Sequence, residues 1–218
     1  MKSLTRYIRE PVNAITHLIG AVLSVVALIL LILRSIEAES VTMLTAFIIF
    51  GTSMILLYTA STLYHSVTAY RWIVRMRKLD HMMIYALIAG TYTPVCLLVV
   101  RGVPGIIVLA VIWTMAVSGI VLKLYLGSKA PGWLSIVVYI IMGWAGVAVF
   151  PYLFQNMPLP GLLWIGIGGV IYTSGAIIYG LRKPDPWPNR FGFHEIWHLF
   201  VLGGTLSHFW AIYRYVAA

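Results

Sequence analysis

The sequence predicts an all-α integral membrane protein, a bundle of seven transmembrane helices with a cytoplasmic N-terminus and an outside C-terminus. Composition predicts the class. Of the 218 residues 61% are apolar and 10% charged, and mean hydropathy is +0.94, whereas soluble domains carry roughly 25% charged residues. Six acidic and fifteen basic residues cannot wet the surface of a soluble fold of this size. A soluble globular domain, a disordered chain and a disulfide scaffold are all excluded. Cys96 is the one cysteine, so no intramolecular disulfide forms. Long apolar runs predict the architecture, and an uneven distribution of cations predicts the orientation.

A helix needs roughly 20 apolar residues to cross about 30 Å of hydrocarbon. Seven runs qualify: 14–33, 41–66, 79–100, 103–123, 132–150, 161–181 and 194–216. They are continuous, not alternating, which disfavours a barrel. The first follows Lys2, Arg6 and Arg9 as a signal peptide would. At about 20 residues it exceeds the usual apolar segment of such a peptide and reads as an uncleaved span. Residues 1–12 set Leu4 and Ile8 beside those cations, a pattern suited to a short helix on the membrane surface. Pro94 is placed to kink the third helix. In the sixth, Gly166, Gly168 and Gly169 suit close helix packing. The Pro184–Pro188 stretch precedes the last span. No repeat or linker divides the chain, so residues 1–218 read as one domain.

Counting cations by connection sets the orientation. Lys2, Arg6, Arg9, Arg71, Arg75, Arg77, Lys78, Lys123, Lys129, Arg182, Lys183 and Arg190 fall on one side, twelve of the fifteen. Arg34, Arg101 and Arg214 remain for the other. The positive-inside rule puts the first set in the cytoplasm. The net charge of +9 is then a topology device and an attraction to anionic lipid head groups, not a nucleic-acid surface. A multi-pass protein of the cell membrane is expected. Two other seven-helix classes fall away. A retinal protein needs a lysine in the last span, and 194–216 has none. A G-protein-coupled receptor would carry its N-terminus outside.

Ionisable groups inside spans are costly and mark functional sites. They are His17, His65, Asp80, His81, His194, Glu195, His198 and His208. Alternate spans run in opposite directions, so His17, His65, Asp80, His194 and His198 share the cytoplasmic level. His208 lies about 15 Å further along its helix. His194 and His198 are i, i+4, about 40° apart on one face, and Ser61 and His65 repeat that spacing. Three imidazoles and a water make a catalytic zinc sphere with an open position, and zinc lowers the pKa of its water to about 7. Asp80 would be the base or orienting group, and Ser61 a hydrogen-bonding neighbour.

Blander readings stand beside this one. A lone histidine at a span end usually bonds backbone or head groups, and Asp80 alone could cap the third helix. His81 points about 100° away from Asp80 and reads as interfacial, and His208 and Cys96 as satisfied core residues. His194-Glu195-Ile196-Trp197-His198 also matches the H-E-x-x-H pattern of zinc proteases, with Glu195 as base. Its context fails: the extended motif would need histidine where Gly204 stands, and no acidic residue follows His198.

Glu10-Pro11-Val12-Asn13 with His17, Ser61-x-x-x-His65, Asp80 and His194-x-x-x-His198 together resemble the bacterial hemolysin III family. That family is part of the progestin and adipoQ receptor (PAQR) group, and alkaline ceramidases look like more distant relatives. The resemblance covers essentially the whole chain. It implies seven spans with an inside N-terminus, zinc on His65, His194 and His198, and Ser61 and Asp80 around the bound water. It also implies hydrolysis of a lipid amide or ester in the receptor and ceramidase branches. The chain lacks the receptors' large polar N-terminal domain, which argues against hormone sensing. The expected function is a zinc-dependent hydrolase of a membrane lipid. A non-enzymatic receptor-like or membrane-homeostasis protein with structural zinc, and a pore-forming cytolysin, are the alternatives.

Overall fold

A computed structural model describes residues 7–127, 131–188 and 190–216. Pro11 opens α1 (Pro11–Glu37), a position where its missing N–H costs nothing. Ser40 caps α2 (Val41–Ser66), its Oγ accepting the Met43 N–H at 3.2 Å. Then come α3 (Tyr70–Pro94), a π-helical turn Val95–Val100, α4 (Gly102–Leu126) and α5 (Gly132–Trp144). A 3₁₀ turn Ala145–Val149 joins α5 to the short α6 (Phe150–Asn156). Finally α7 (Leu159–Leu181) leads to α8 (Phe193–Ala211), which widens into a π-helical end, Ile212–Val216. Among the described residues the sole β pairing is an isolated bridge between Trp187 and Phe191.

Six helical segments are long and apolar enough to cross a membrane: Pro11–Glu37, Val41–Ser66, Tyr70–Val100, Gly102–Leu126, Gly132–Asn156 and Leu159–Leu181. The predicted seventh span coincides with α8 and its π-helical end. Three histidines and Glu195 on α8 dilute its apolar character. The predicted third span starts too late. Helix α3 begins at Tyr70, because Arg71, Arg75, Arg77 and Lys78, which sequence counting assigns to a loop, are good helix formers. Trp72 packs under Arg71 and Arg75 there, at 5.9 and 5.3 Å. The predicted fifth span likewise runs on through the 3₁₀ turn to Asn156. Of the predicted surface helix 1–12, residues 1–6 lie outside the described residues, and 7–10 form a turn and bend.

Helix order is what positions the site. Helix α1 packs along α2, α2 along α3 and α3 along α4, while α8 packs on α7 and closes back onto α1. Helix α2 supplies much of the core, with Phe47, Phe50, Met54, Leu57 and Tyr58 buried against Leu31 and Val201. The outward faces are apolar instead. Leu18, Val22 and Ile29 of α1 and Val103, Ile106 and Ile107 of α4 are all more than half exposed, an arrangement stable only against lipid.

Small residues set the closest approaches. A Cβ on Gly20 would lie 2.7 Å from the Tyr58 ring and 2.8 Å from Leu202, and one on Gly168 would collide with the His208 ring. Gly166 differs from its sequence reading. Nothing lies within 4 Å of its Cβ position, so it serves no helix contact among the described residues. Substituting Gly20→Val should therefore overpack the α1–α2–α8 contact and cost about 1–3 kcal/mol, read as a lowered melting temperature in detergent. Gly166→Ala should leave the melting temperature unchanged or slightly raised.

Candidate metal centre

His65 lies one residue before the end of α2, and His194 and His198 occupy the first two turns of α8. Since α1 packs against both helices, the end of one and the start of the other are drawn together. One ligand atom from each imidazole lies within 4.8 Å of the other two. Ring centroids stand 5.0 Å apart for His65–His194 and His194–His198, and 4.7 Å for His65–His198. His65 is fully buried and His198 is 2% exposed. His65 Nε2 has no hydrogen-bond partner among the described residues. A buried, unpartnered imidazole nitrogen beside two others is a costly arrangement that a cation would relieve.

The other residues singled out in the sequence fall around this cluster. Ser61 sits one turn before His65, 1% exposed, its Oγ unpartnered among the described residues. Asp80 neighbours Ser61, His65 and Glu10. It lies about three turns into α3, not at its N-terminus, so the helix-cap alternative is overturned. His17 stacks on His198 at a centroid distance of 3.6 Å and 10° between planes. His208 stands apart, its Nε2 bonded to the Ile165 carbonyl at 3.1 Å. His81 Nδ1 pairs with the Arg77 carbonyl, and Cys96 is a buried free thiol.

Glu195, the protease-type base, is occupied elsewhere. Its Oε2 accepts the Gly192 N–H at 2.8 Å, capping its own helix, and its Oε1 accepts from Asn13 Nδ2 at 2.9 Å. Both oxygens of this carboxylate thus hold structural partners, the start of α8 and Asn13 of α1.

Residues without an assigned role in the sequence reading build the surrounding layer. The Glu10 N–H donates to the His65 carbonyl at 3.0 Å, and its Oε2 accepts from His65 Nδ1. Asn13 Nδ2 reaches the same oxygen at 3.3 Å. Arg9 pairs with Glu10 Oε1 at 3.1 Å, donates to the Tyr64 carbonyl at 2.9 Å and lies 4.4 Å over the Tyr64 ring. Burial works to raise the Glu10 pKa. The hydrogen bond from His65 and the nearby positive charge outweigh it, holding the carboxyl down at about 2, so it is a carboxylate at neutral pH. The signal for this layer was present: Glu10 is the only acid before Glu37, set at the threshold of the first span.

Three imidazoles with a hydroxyl and a carboxylate alongside form a donor set able to hold a divalent metal ion. The sequence profile of the family described as haemolysin-III related matches residues 5–209. The chain belongs to that family. It is 41% identical over 217 residues to Hemolysin-3 of Bacillus cereus, across 99% of this chain and 96% of that one. To the Hemolysin-3 homolog of Bacillus subtilis (strain 168) it is 39% identical over 206 residues, across 94% and 93%. A more distant similarity, 26% over 238 residues, links it to the adiponectin receptor protein of Drosophila melanogaster, across 97% of this chain and 51% of the receptor. This haemolysin-III relative is thus a multi-pass protein of the cell membrane, with a receptor-like branch at a distance.

Because Glu195 caps α8, Glu195→Ala should destabilise the protein by about 0.5–2 kcal/mol. Differential scanning of purified protein should show this as a lower melting temperature.

Proposed function

We propose that this protein is a zinc-dependent hydrolase of a lipid amide or ester, working from a site near the cytoplasmic face of a seven-span bundle. The observation that carries the proposal is the grouping of His65, His194 and His198 with Ser61 and Asp80 at one end of the helices. The orientation rests on the cation count, which sets the start of α1, the end of α2 and the start of α8 on the basic side. Helix α8 with its π-helical end supplies the seventh crossing. In that frame the N-terminus is cytoplasmic and the C-terminus outside, and the twelve cations face anionic head groups.

His65, His194 and His198 would hold the ion. Zinc bound there supplies Lewis acidity, polarising a carbonyl and acidifying a water to a pKa of about 7. Asp80 takes the proton released as water adds to the lipid carbonyl and returns it to the leaving amine or alcohol. Ser61 offers its hydroxyl as a hydrogen bond that orients the reacting oxygen. The apolar flanks of the bundle keep a lipid substrate in contact with the protein as it approaches.

A second reading is favoured by the ligands coming from two helices, α2 and α8: a metal there would staple the bundle without turnover. A conducting pore has less support, since the satisfied His208 interrupts any polar line from the cluster along α8.

Metal analysis of purified wild type should find one zinc per chain, lost in the double variant His194→Ala/His198→Ala. Asp80→Asn should keep its zinc and abolish turnover, seen as a lipid species that changes with wild type and not with the variant. Wild type without zinc sinks both readings. Zinc with lower melting temperatures in the ligand variants, and no Asp80-dependent lipid change, leaves the staple.

A further inference from the structure

His65 is anchored differently from the other two histidines of the cluster. Its Nδ1 meets the Glu10 carboxylate, whereas His198 Nδ1 makes a long contact to Thr16 Oγ1, at 3.5 Å. A carboxylate accepts and never donates, so Nδ1 carries a proton, and in the neutral ring that binds a metal the Nε2 lone pair is the one on offer. That Nε2 is buried and without a partner among the described residues. Glu10 is itself held on several sides. Its backbone N–H is on the His65 carbonyl, Arg9 pairs with Oε1, and Asn13 bridges Oε2 to Glu195 at the start of α8. The chain Glu10–Asn13–Glu195 thereby ties the end of α2 to the start of α8, the two elements bearing the three imidazoles.

We propose that Glu10 is the positioning residue of the metal centre: its carboxylate locks His65 in the Nδ1–H tautomer and presents Nε2 to the ion. Outer carboxylates of this kind orient metal-binding imidazoles and raise their basicity. The inference rests on the zinc centre proposed above and adds a determinant of its affinity from a segment that contributes no ligand.

Zinc affinity of the purified full-length protein, measured by competition with a chromophoric chelator, tests it. Glu10→Ala should weaken Zn²⁺ binding about 100-fold and Glu10→Gln about tenfold, because the glutamine oxygen still accepts from Nδ1–H without the charge. With Co²⁺ in place of zinc, the visible absorption bands should shift in Glu10→Ala and move back part of the way in Glu10→Gln. A purely structural role would lower the melting temperature of the metal-free variants and leave affinity and the Co²⁺ spectrum at wild-type values, and that result overturns the inference. Should Glu10→Ala fail to fold, Glu10→Gln decides alone: weakened binding supports the proposal, and unchanged binding overturns it. Wild type that takes up no Zn²⁺ overturns the zinc centre and this inference with it. Zinc-loaded wild type with equally loaded Glu10 variants overturns only the inference.

Discussion

Lipid offers no hydrogen bonds, so every polar side chain drawn into an apolar bundle must find its partner within the protein. That constraint organises the end of the molecule where His65, His194 and His198 converge. Elsewhere the bundle solves it cheaply. Thr and Ser hydroxyls along the helices bond back to carbonyls one turn earlier, as Ser24 does to Gly20 and Thr93 to Ala89. Tyr58 shares Thr205 with Tyr172 between α2, α7 and α8. At the cluster these local solutions stop. Ser61 Oγ, His65 Nε2 and both nitrogens of His17 remain unpartnered among the described residues. Such a concentration of unmet polar atoms is the signature of a site that expects a ligand.

The residues that hold the cluster in place come from the start of α1. Arg9, Glu10 and Asn13 reach the end of α2 through backbone, ion pair and ring contacts, and reach α8 through Glu195. Helices α2 and α8 stand far apart in sequence, and α1 is the element that packs against both. The first turn of α1 therefore works as a clasp. Its polar side chains face inward at the same level as the imidazoles, while the next turns present Leu18 and Val22 outward. A segment that reads in the sequence as a basic, membrane-surface stretch has its last residues turned toward the protein interior.

The other ionisable residues of α8 have partners of their own. His208 has a backbone partner and belongs to the α7–α8 packing against Gly168. Glu195 is bound to the start of its own helix and to Asn13, while Glu10 is the carboxylate in direct contact with an imidazole of the cluster. Ser61 stands on α2 and Asp80 on α3.

Much was legible in the sequence because bilayer chemistry makes charge scarce. Composition determined the membrane class, and the continuous apolar runs determined that its spans are helices. The i, i+4 spacings put Ser61 with His65 and His194 with His198, since a helix turn is a local property. The rarity of buried ionisable groups made the candidates few. Helix ends were less legible. The cations of α3 lie within the helix because arginine and lysine suit a helix end at the membrane surface, and hydropathy counts them as loop. Tertiary structure alone decided the partners: Glu10 on His65, Glu195 on Asn13, His17 on His198. The first two of those contacts join residues 55 and 182 positions apart. No periodicity carries information over that distance, because packing of α1 between α2 and α8 determines which side chains meet.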